Sequence, residues 1–195
     1  MSQNVLVVHG GGPTALINVS LYGVIEEAKR NPEVGKVYGA IGGTGAIFSE
    51  TFLDLTSFED DKLKLLLHTP ASAIGSSRYP LYEKDYEKMA EIFRKYDIKY
   101  VLLNGGNGTM DACGHIYEVC RNLDIRVVGI PKTIDNDMSA SEPTIGFQTA
   151  IDAAVDAIRK LITTAYSHRR VMVVELMGRT SGYLTLYAGF ASGAD

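Results

Sequence analysis

Three times along this chain a short, β-rich apolar run stops abruptly at a loop of glycines or of small polar residues. Asn4–Val8 runs into Gly10-Gly11-Gly12-Pro13, and Lys99–Leu103 into Gly105-Gly106-Asn107-Gly108-Thr109. Arg126–Ile130 runs into Pro131-Lys132-Thr133-Ile134-Asp135-Asn136-Asp137. Nearly continuous apolar strands alternating with amphipathic helices bury both sheet faces only when the strands are parallel and the crossovers right-handed. An α/β fold with a parallel, doubly wound sheet is therefore predicted.

The intervening segments carry the helical period. Ile17, Leu21, Val24, Ile25 and Ala28 mark a helix after the first glycine loop, and Lys36–Ile41 a second strand. Ser57 is the expected N-cap of a helix carrying Leu63, Leu66 and Leu67. Glu83–Lys95 places Tyr86, Met89, Ala90 and Phe93 on one side, and a further helix bears Ile116, Tyr117 and Cys120. Phe147–Thr163 is a long helix striped by Ile151, Val155, Ile158 and Ile162. Val171–Leu176 is a last predicted strand, opening into Met177-Gly178-Arg179.

Bulk properties exclude some functions. The net charge of −4 and the lack of a basic block argue against nucleic-acid binding. The apolar run at the N-terminus, Val5–Val8, is too short for a signal peptide or a membrane span, so the chain reads as cytoplasmic. Cys113 and Cys120 would lie roughly 10 Å apart on a helix, too far for a disulfide, and read as packing residues. His9, His68, His115 and His168 have no ligand spacing and read as structural.

The loops point to anionic oxygen. Glycine turns at helix N-termini bring backbone N–H groups to phosphate. Neither glycine loop has the G-x-G-x-x-G or G-x-x-x-x-G-K-[ST] spacing, which disfavours a dinucleotide-binding module and a P-loop ATPase. Gly75-Ser76-Ser77-Arg78-Tyr79-Pro80 adds a cation in a turn, and Ser167-His168-Arg169-Arg170 adds two more. Asp135 and Asp137 share one loop, where one carboxylate can accept a proton and the other hold a cation through water. The plainer reading of that loop is a solvated Asx turn. Glycine cradles, a lysine, arginines and two acids together describe phosphoryl transfer.

These blocks resemble the three signature blocks of the phosphofructokinase family: Gly105–Thr109, Pro131–Asp137 and Glu175-Leu176-Met177-Gly178-Arg179-Thr180-Ser181-Gly182. Gly75–Pro80 resembles the family's arginine turn, and the resemblance runs from Val5 to the end of the chain. It implies transfer of a phosphoryl group to the 1-hydroxyl of fructose 6-phosphate, giving fructose 1,6-bisphosphate, a glycolytic step. Asp135 would be the base. Lys132, Thr133 and Arg179 would join it in catalysis, and Asn107 and Asp137 would lie around Mg²⁺. Gly11, Arg78, Tyr79, Gly106, Asn107, Gly108 and Thr109 would line the donor site. Thr133, Asp135, Arg170, Met177, Gly178 and Arg179 would meet the sugar phosphate, with Arg170 reaching a neighbouring subunit of a homo-oligomer.

By the same resemblance, residues 1–139 are a donor-binding α/β domain and 140–195 the start of an incomplete sugar-phosphate-binding domain. Asparagine at 107 departs from the family's usual aspartate. Gly108 matches ATP users, whereas Lys132 matches pyrophosphate users. The missing side chain is a steric requirement for ATP, so ATP is the favoured donor and pyrophosphate the alternative. Family members are longer, which raises a second alternative: an inactive, truncated or regulatory nucleotide-binding subunit. NAD kinases and related lipid kinases share a Gly-Gly-Asp-Gly-Thr loop resembling 105–109 but lack the other two blocks.

Overall fold

The computed structural model describes residues 3–141 and 143–195. Strand β1 (Gln3–His9) leads to helix α1 (Ala15–Arg30), then β2 (Val34–Ala40), the single-turn α2 (Gly45–Phe48) and β3 (Phe52–Asp54). A 3₁₀ turn, the short α3 (Asp60–Lys64) and a second 3₁₀ turn follow, then α4 (Glu83–Lys95), β4 (Ile98–Gly105), α5 (Asn107–Cys120) and β5 (Arg126–Pro131). The strands form one sheet in the order β3-β2-β1-β4-β5. β1 pairs in parallel with both β2 and β4, while β3 is an antiparallel edge strand that the sequence reading does not anticipate.

Helices cover both faces of the sheet over β1, β2 and β4, as a parallel sheet requires, whereas on the α1 face β5 is left open, with Val128 48% exposed. On one face Tyr86, Met89, Phe93 and Ile116 of α4 and α5 pack on Leu6, Val8, Val101 and Leu103. On the other, Leu21 and Ile25 of α1 pack on Val5, Val7 and Val37 with Leu55, Leu63 and Ile74. Strand residues alternate between these clusters because successive side chains point to opposite faces. Each buried Leu, Ile or Phe contributes about 1.5–3 kcal/mol by leaving water.

Two compact units divide the chain, the first ending at Ile130 and the second beginning at Pro131. The second holds α6 (Phe147–His168) and α7 (Tyr183–Ser192), whose contact is built on Phe147, Ile151 and Leu184. Phe147 meets Tyr187 edge-on at 5.6 Å, and Arg159 donates to the Ala191 carbonyl at 3.3 Å.

Three expectations are corrected. The helix expected after Ser57 is broken: Ser57 ends a 3₁₀ turn, Glu59 caps α3, and Leu65–His68 tighten into 3₁₀ geometry. The two acids at the start and the leucine run at the end support barely one helical turn, below the length at which helices propagate. Val171–Leu176 is not a strand, because no neighbour among the described residues supplies a ladder. It keeps the strand period: Met172, Val174 and Leu176 are half-buried, while Val171 and Val173 are 96% and 94% exposed. Accordingly Arg169 and Arg170 follow the end of α6 but precede no strand.

Candidate active site

In the first unit the functional loops meet at the C-terminal ends of the parallel strands, where open α/β sheets place their ligand crevice. The turn after β1 and the turn before α5 are held together by Thr109. Its side chain is buried, and a Cβ at Gly10 or at Gly105 would fall inside van der Waals contact of its Oγ1. Those two glycines therefore answer to a close approach of chain to chain. Gly106 N-caps α5, whose first turn contains Asn107 and Gly108. The leading N–H groups of a helix have no intrahelical acceptor and carry the positive end of its dipole. A Cβ on Gly108 would meet nothing within 4 Å, so the chain's own packing does not demand glycine there.

Gly11 donates its N–H to the Ser77 carbonyl at 3.3 Å, and the Ser76 hydroxyl donates to the Gly11 carbonyl at 2.7 Å. The arginine turn is thus stitched to the glycine turn. Arg78 follows it and is exposed, and the Tyr79 ring lies 5.5 Å from that of Phe48. A third glycine turn, Gly42-Gly43-Thr44-Gly45, follows β2 at the same rim, with the Thr44 and Ser77 hydroxyls 3.2 Å apart. Nothing in the sequence reading singles this turn out, although glycine after a strand is the signal that marks the other two.

The acidic loop belongs to the second unit and is organised by short polar side chains. The Asp135 N–H donates to Thr133 Oγ1 at 3.1 Å, and the Thr144 hydroxyl donates to the Thr133 carbonyl at 2.8 Å. The Thr144 N–H donates to Asn136 Oδ1 at 2.9 Å. Asn136 sits at φ 54°, a left-handed conformation that asparagine tolerates. Ser181 donates to the Asp135 carbonyl at 2.8 Å, tying the Met177–Gly182 block to the acid loop. Thr144 and Ser181 are supporting residues the sequence reading misses. Ser181 lies within the Glu175–Gly182 block, where the resemblance gives it no role, and Thr144 belongs to no motif.

Lys132 is buried, and burial pushes its ammonium pKa below the usual lysine value, with the nearby Asp135 charge opposing that shift. Thr133, Asp135 and Asp137 are half-buried. Asp137 Oδ1 is buried with no hydrogen-bond partner among the described residues, an oxygen suited to a cation or its water. The described residues contain no cluster of three or more His, Cys, Asp or Glu that could hold a metal by itself. A magnesium ion at Asp137 would therefore take most of its oxygens from phosphate and water, which is how that ion is commonly bound beside phosphate groups.

Gly178 is buried at φ 154°, and a Cβ there would stand 2.5 Å from the Ser181 carbonyl oxygen, so only glycine fits. Met177 is 72% exposed, and Arg170 and Arg179 are exposed. Among the described residues Arg78, Arg170 and Arg179 make no ion pair.

Glycine turns at the rim of a parallel sheet in the first unit, and a lysine with two acids in one loop of the second, define the class: an α/β protein whose strand-to-helix loops are of the anion-binding kind. Residues 4–195 match the phosphofructokinase family. The chain belongs to that family. A pyrophosphate–fructose 6-phosphate 1-phosphotransferase of Dictyoglomus thermophilum is 36% identical, over 97% of this chain and 53% of its own length. An ATP-dependent 6-phosphofructokinase of Histophilus somni (strain 2336) is 32% identical, over 100% of this chain and 59% of its own. Among solved structures, a pyrophosphate-dependent phosphofructokinase from Nitrosospira multiformis superposes with a TM-score of 0.89 at 29% identity, covering 98% of this chain and 50% of that one. The chain spans about half the length of the curated relatives it matches. Among the described residues no helix is long and apolar enough to cross a membrane.

Proposed function

We propose that the protein to which these residues belong transfers a phosphoryl group to the 1-hydroxyl of fructose 6-phosphate, with ATP as the favoured donor. Relatives carrying both donor names match at similar identity, so the donor reading rests on Gly108. Glycine is a poor helix former, by up to about 1 kcal/mol relative to alanine in a helix interior, and Gly108 stands in the first turn of α5. With open space at its Cβ position, no packing need within the chain offsets that cost. Leaving the space clear for a nucleotide's inner phosphate does. A lysine such as Lys132 can serve either donor.

In this reading the glycine turns, the α5 N-terminus and Arg78 hold the donor phosphates, with Tyr79, Gly106, Asn107 and Thr109 around them. Asp135 accepts the proton of the sugar hydroxyl as the new bond forms, and Lys132 and Arg179 offset charge on the moving group. Asp137 and Asn107 would hold Mg²⁺, which would supply neutralisation of donor phosphate charge. Asn107 brings an oxygen without a charge, so Asp137 is the stronger contact. Met177, Gly178 and Thr133 shape the acceptor pocket, and Arg170 reaches the pocket of a neighbouring subunit. Residues 1–139 form the donor domain and 140 onward begins the acceptor domain. The belonging of the chain to the family carries this reading most directly.

The test is formation of fructose 1,6-bisphosphate by the purified protein with Mg²⁺ and either ATP or pyrophosphate. Turnover with ATP in preference is the expected result. Absence of turnover with both, from folded protein that binds either donor, would instead favour a nucleotide-binding subunit without activity of its own.

A further inference from the structure

The stretch 69–82 joins the second 3₁₀ turn to α4 without a helix or strand of its own. Irregular connections of that length are uncommon in compact domains and are usually functional. Three of the buried polar residues of the first unit, His9, Asn18 and Thr44, spend side-chain hydrogen bonds on it. Buried polar groups are costly, and apolar packing alone stabilises a core more cheaply.

Asn18 lies on the buried side of α1. Its Nδ2 donates to the carbonyls of Thr69 at 2.7 Å and Ala71 at 3.0 Å, and its Oδ1 accepts the Ala73 N–H at 2.7 Å. Two carbonyls on one side and an N–H on the other admit a single orientation of the amide. His9, at the end of β1, meets Ser72 Oγ through Nδ1 at 2.7 Å. Ser72 has one hydroxyl proton and gives it to the Gly75 carbonyl, also at 2.7 Å. The His9 ring must then be the donor to Ser72, which puts a proton on Nδ1. Donor and acceptor run in series from ring to hydroxyl to carbonyl, an arrangement in which each bond strengthens the next. Beyond Gly75, the Ser77 hydroxyl faces Thr44, and Gly43 leaves no room for a side chain because its Cβ would stand 2.6 Å from Ser77 N. Arg78 is the next residue.

We infer that His9, Ser72 and Asn18 form a latch beneath the Gly75–Arg78 turn that positions it for the phosphoryl donor. Ile74, 2% exposed, supplies apolar anchoring, but burial is non-directional and cannot set where the adjacent backbone points. Directional hydrogen bonds do that, the latch from beneath and the Gly11–Ser77, Ser76–Gly11 and Gly42–Ile74 bonds at the turn itself. His9, Ser72 and Asn18 are positioning residues: they act on the donor through the turn. What the turn binds rests on the function proposed above, whereas the latch itself does not.

The experiment compares the wild-type protein with Ser72→Ala and Ser72→Thr, by amide hydrogen exchange and by kinetics. Ser72→Ala removes one oxygen from a half-buried position, and Ser72→Thr keeps the hydroxyl. Expected for Ser72→Ala is exchange across Gly75–Arg78 faster by about tenfold, the range of one hydrogen bond, with α4 exchange unchanged. The donor KM should rise by a similar factor while the fructose 6-phosphate KM stays within about twofold, and Ser72→Thr should restore both. Unchanged exchange in Ser72→Ala would overturn the latch. So would faster exchange throughout α4, which would make Ser72 a residue of the fold at large. Faster exchange in the turn with an unaltered donor KM would overturn the positioning role. If wild-type protein fails to phosphorylate fructose 6-phosphate, direct titration with ATP and with inorganic pyrophosphate replaces the kinetic arm, and the exchange arm stands unaltered.

Discussion

Asp135 carries the sharpest residue-scale prediction. Replacing its carboxylate by the isosteric amide in Asp135→Asn keeps the backbone bonds to Thr133 and Ser181 but removes the proton acceptor. Turnover should fall by about 10²–10⁴-fold with donor affinity nearly unchanged, as read by steady-state kinetics beside donor titration. Gly108→Asp places a negative side chain into the open space at the first turn of α5. It should impair use of ATP far more than use of pyrophosphate, and equal losses would contradict the steric argument. Lys132 makes a pH prediction. Its folded-state pKa lies below the ordinary 10.5, so between the two values the unfolded chain binds more protons and stability rises with pH. The difference between the urea midpoints of wild type and Lys132→Gln should therefore rise with pH across that window. The difference matters because Lys36, Lys64 and Lys95, with raised pKa values, contribute in the opposite direction.

At the scale of elements, α4 and α5 show how directly period becomes packing. Tyr86, Met89, Ala90 and Phe93 were legible as one face of α4, and all four are buried against the sheet. Phe93→Ala should cost about 3–5 kcal/mol in a denaturation experiment, because a fully buried aromatic leaves a cavity among fixed neighbours. Cys113 and Cys120 face the same core, and burial raises both thiols, Cys120 to about 11. Neither should react with a thiol reagent at neutral pH until the protein unfolds. Elements were misread where local pattern ran out. The helix expected from Ser57 has leucines enough, but they fall in two tight turns, with Leu63 buried and Leu65 61% exposed. Val171–Leu176 has a strand's alternation, yet a strand also needs a neighbour, and that neighbour is not written in the segment itself.

The molecule as a whole is two units of unequal character. The first is a sheet with helices on both faces, open only at β5 on the α1 side, whereas the second presents Tyr166, Val171, Val173, Met177 and Phe190 largely exposed. An extended, unpaired segment with exposed valines invites edge-to-edge pairing between copies. Val171→Lys with Val173→Lys should therefore lower light scattering of the concentrated 195-residue chain while shifting stability by no more than about 0.5 kcal/mol per site. The class of fold, the strand-to-helix loops and the blocks that mark the family are legible in the residues alone, because they follow from residue spacing of 2 and 3.6 and from short contiguous strings. Tertiary structure alone decided that Thr109 is the wedge between Gly10 and Gly105, that Asn18 and His9 grip a loop far along the chain, and that Ser181 is tied to the acid loop. All but the Gly105–Thr109 contact join residues dozens of positions apart, and they depend on the direction of a hydrogen bond or the absence of a Cβ, which no local pattern encodes.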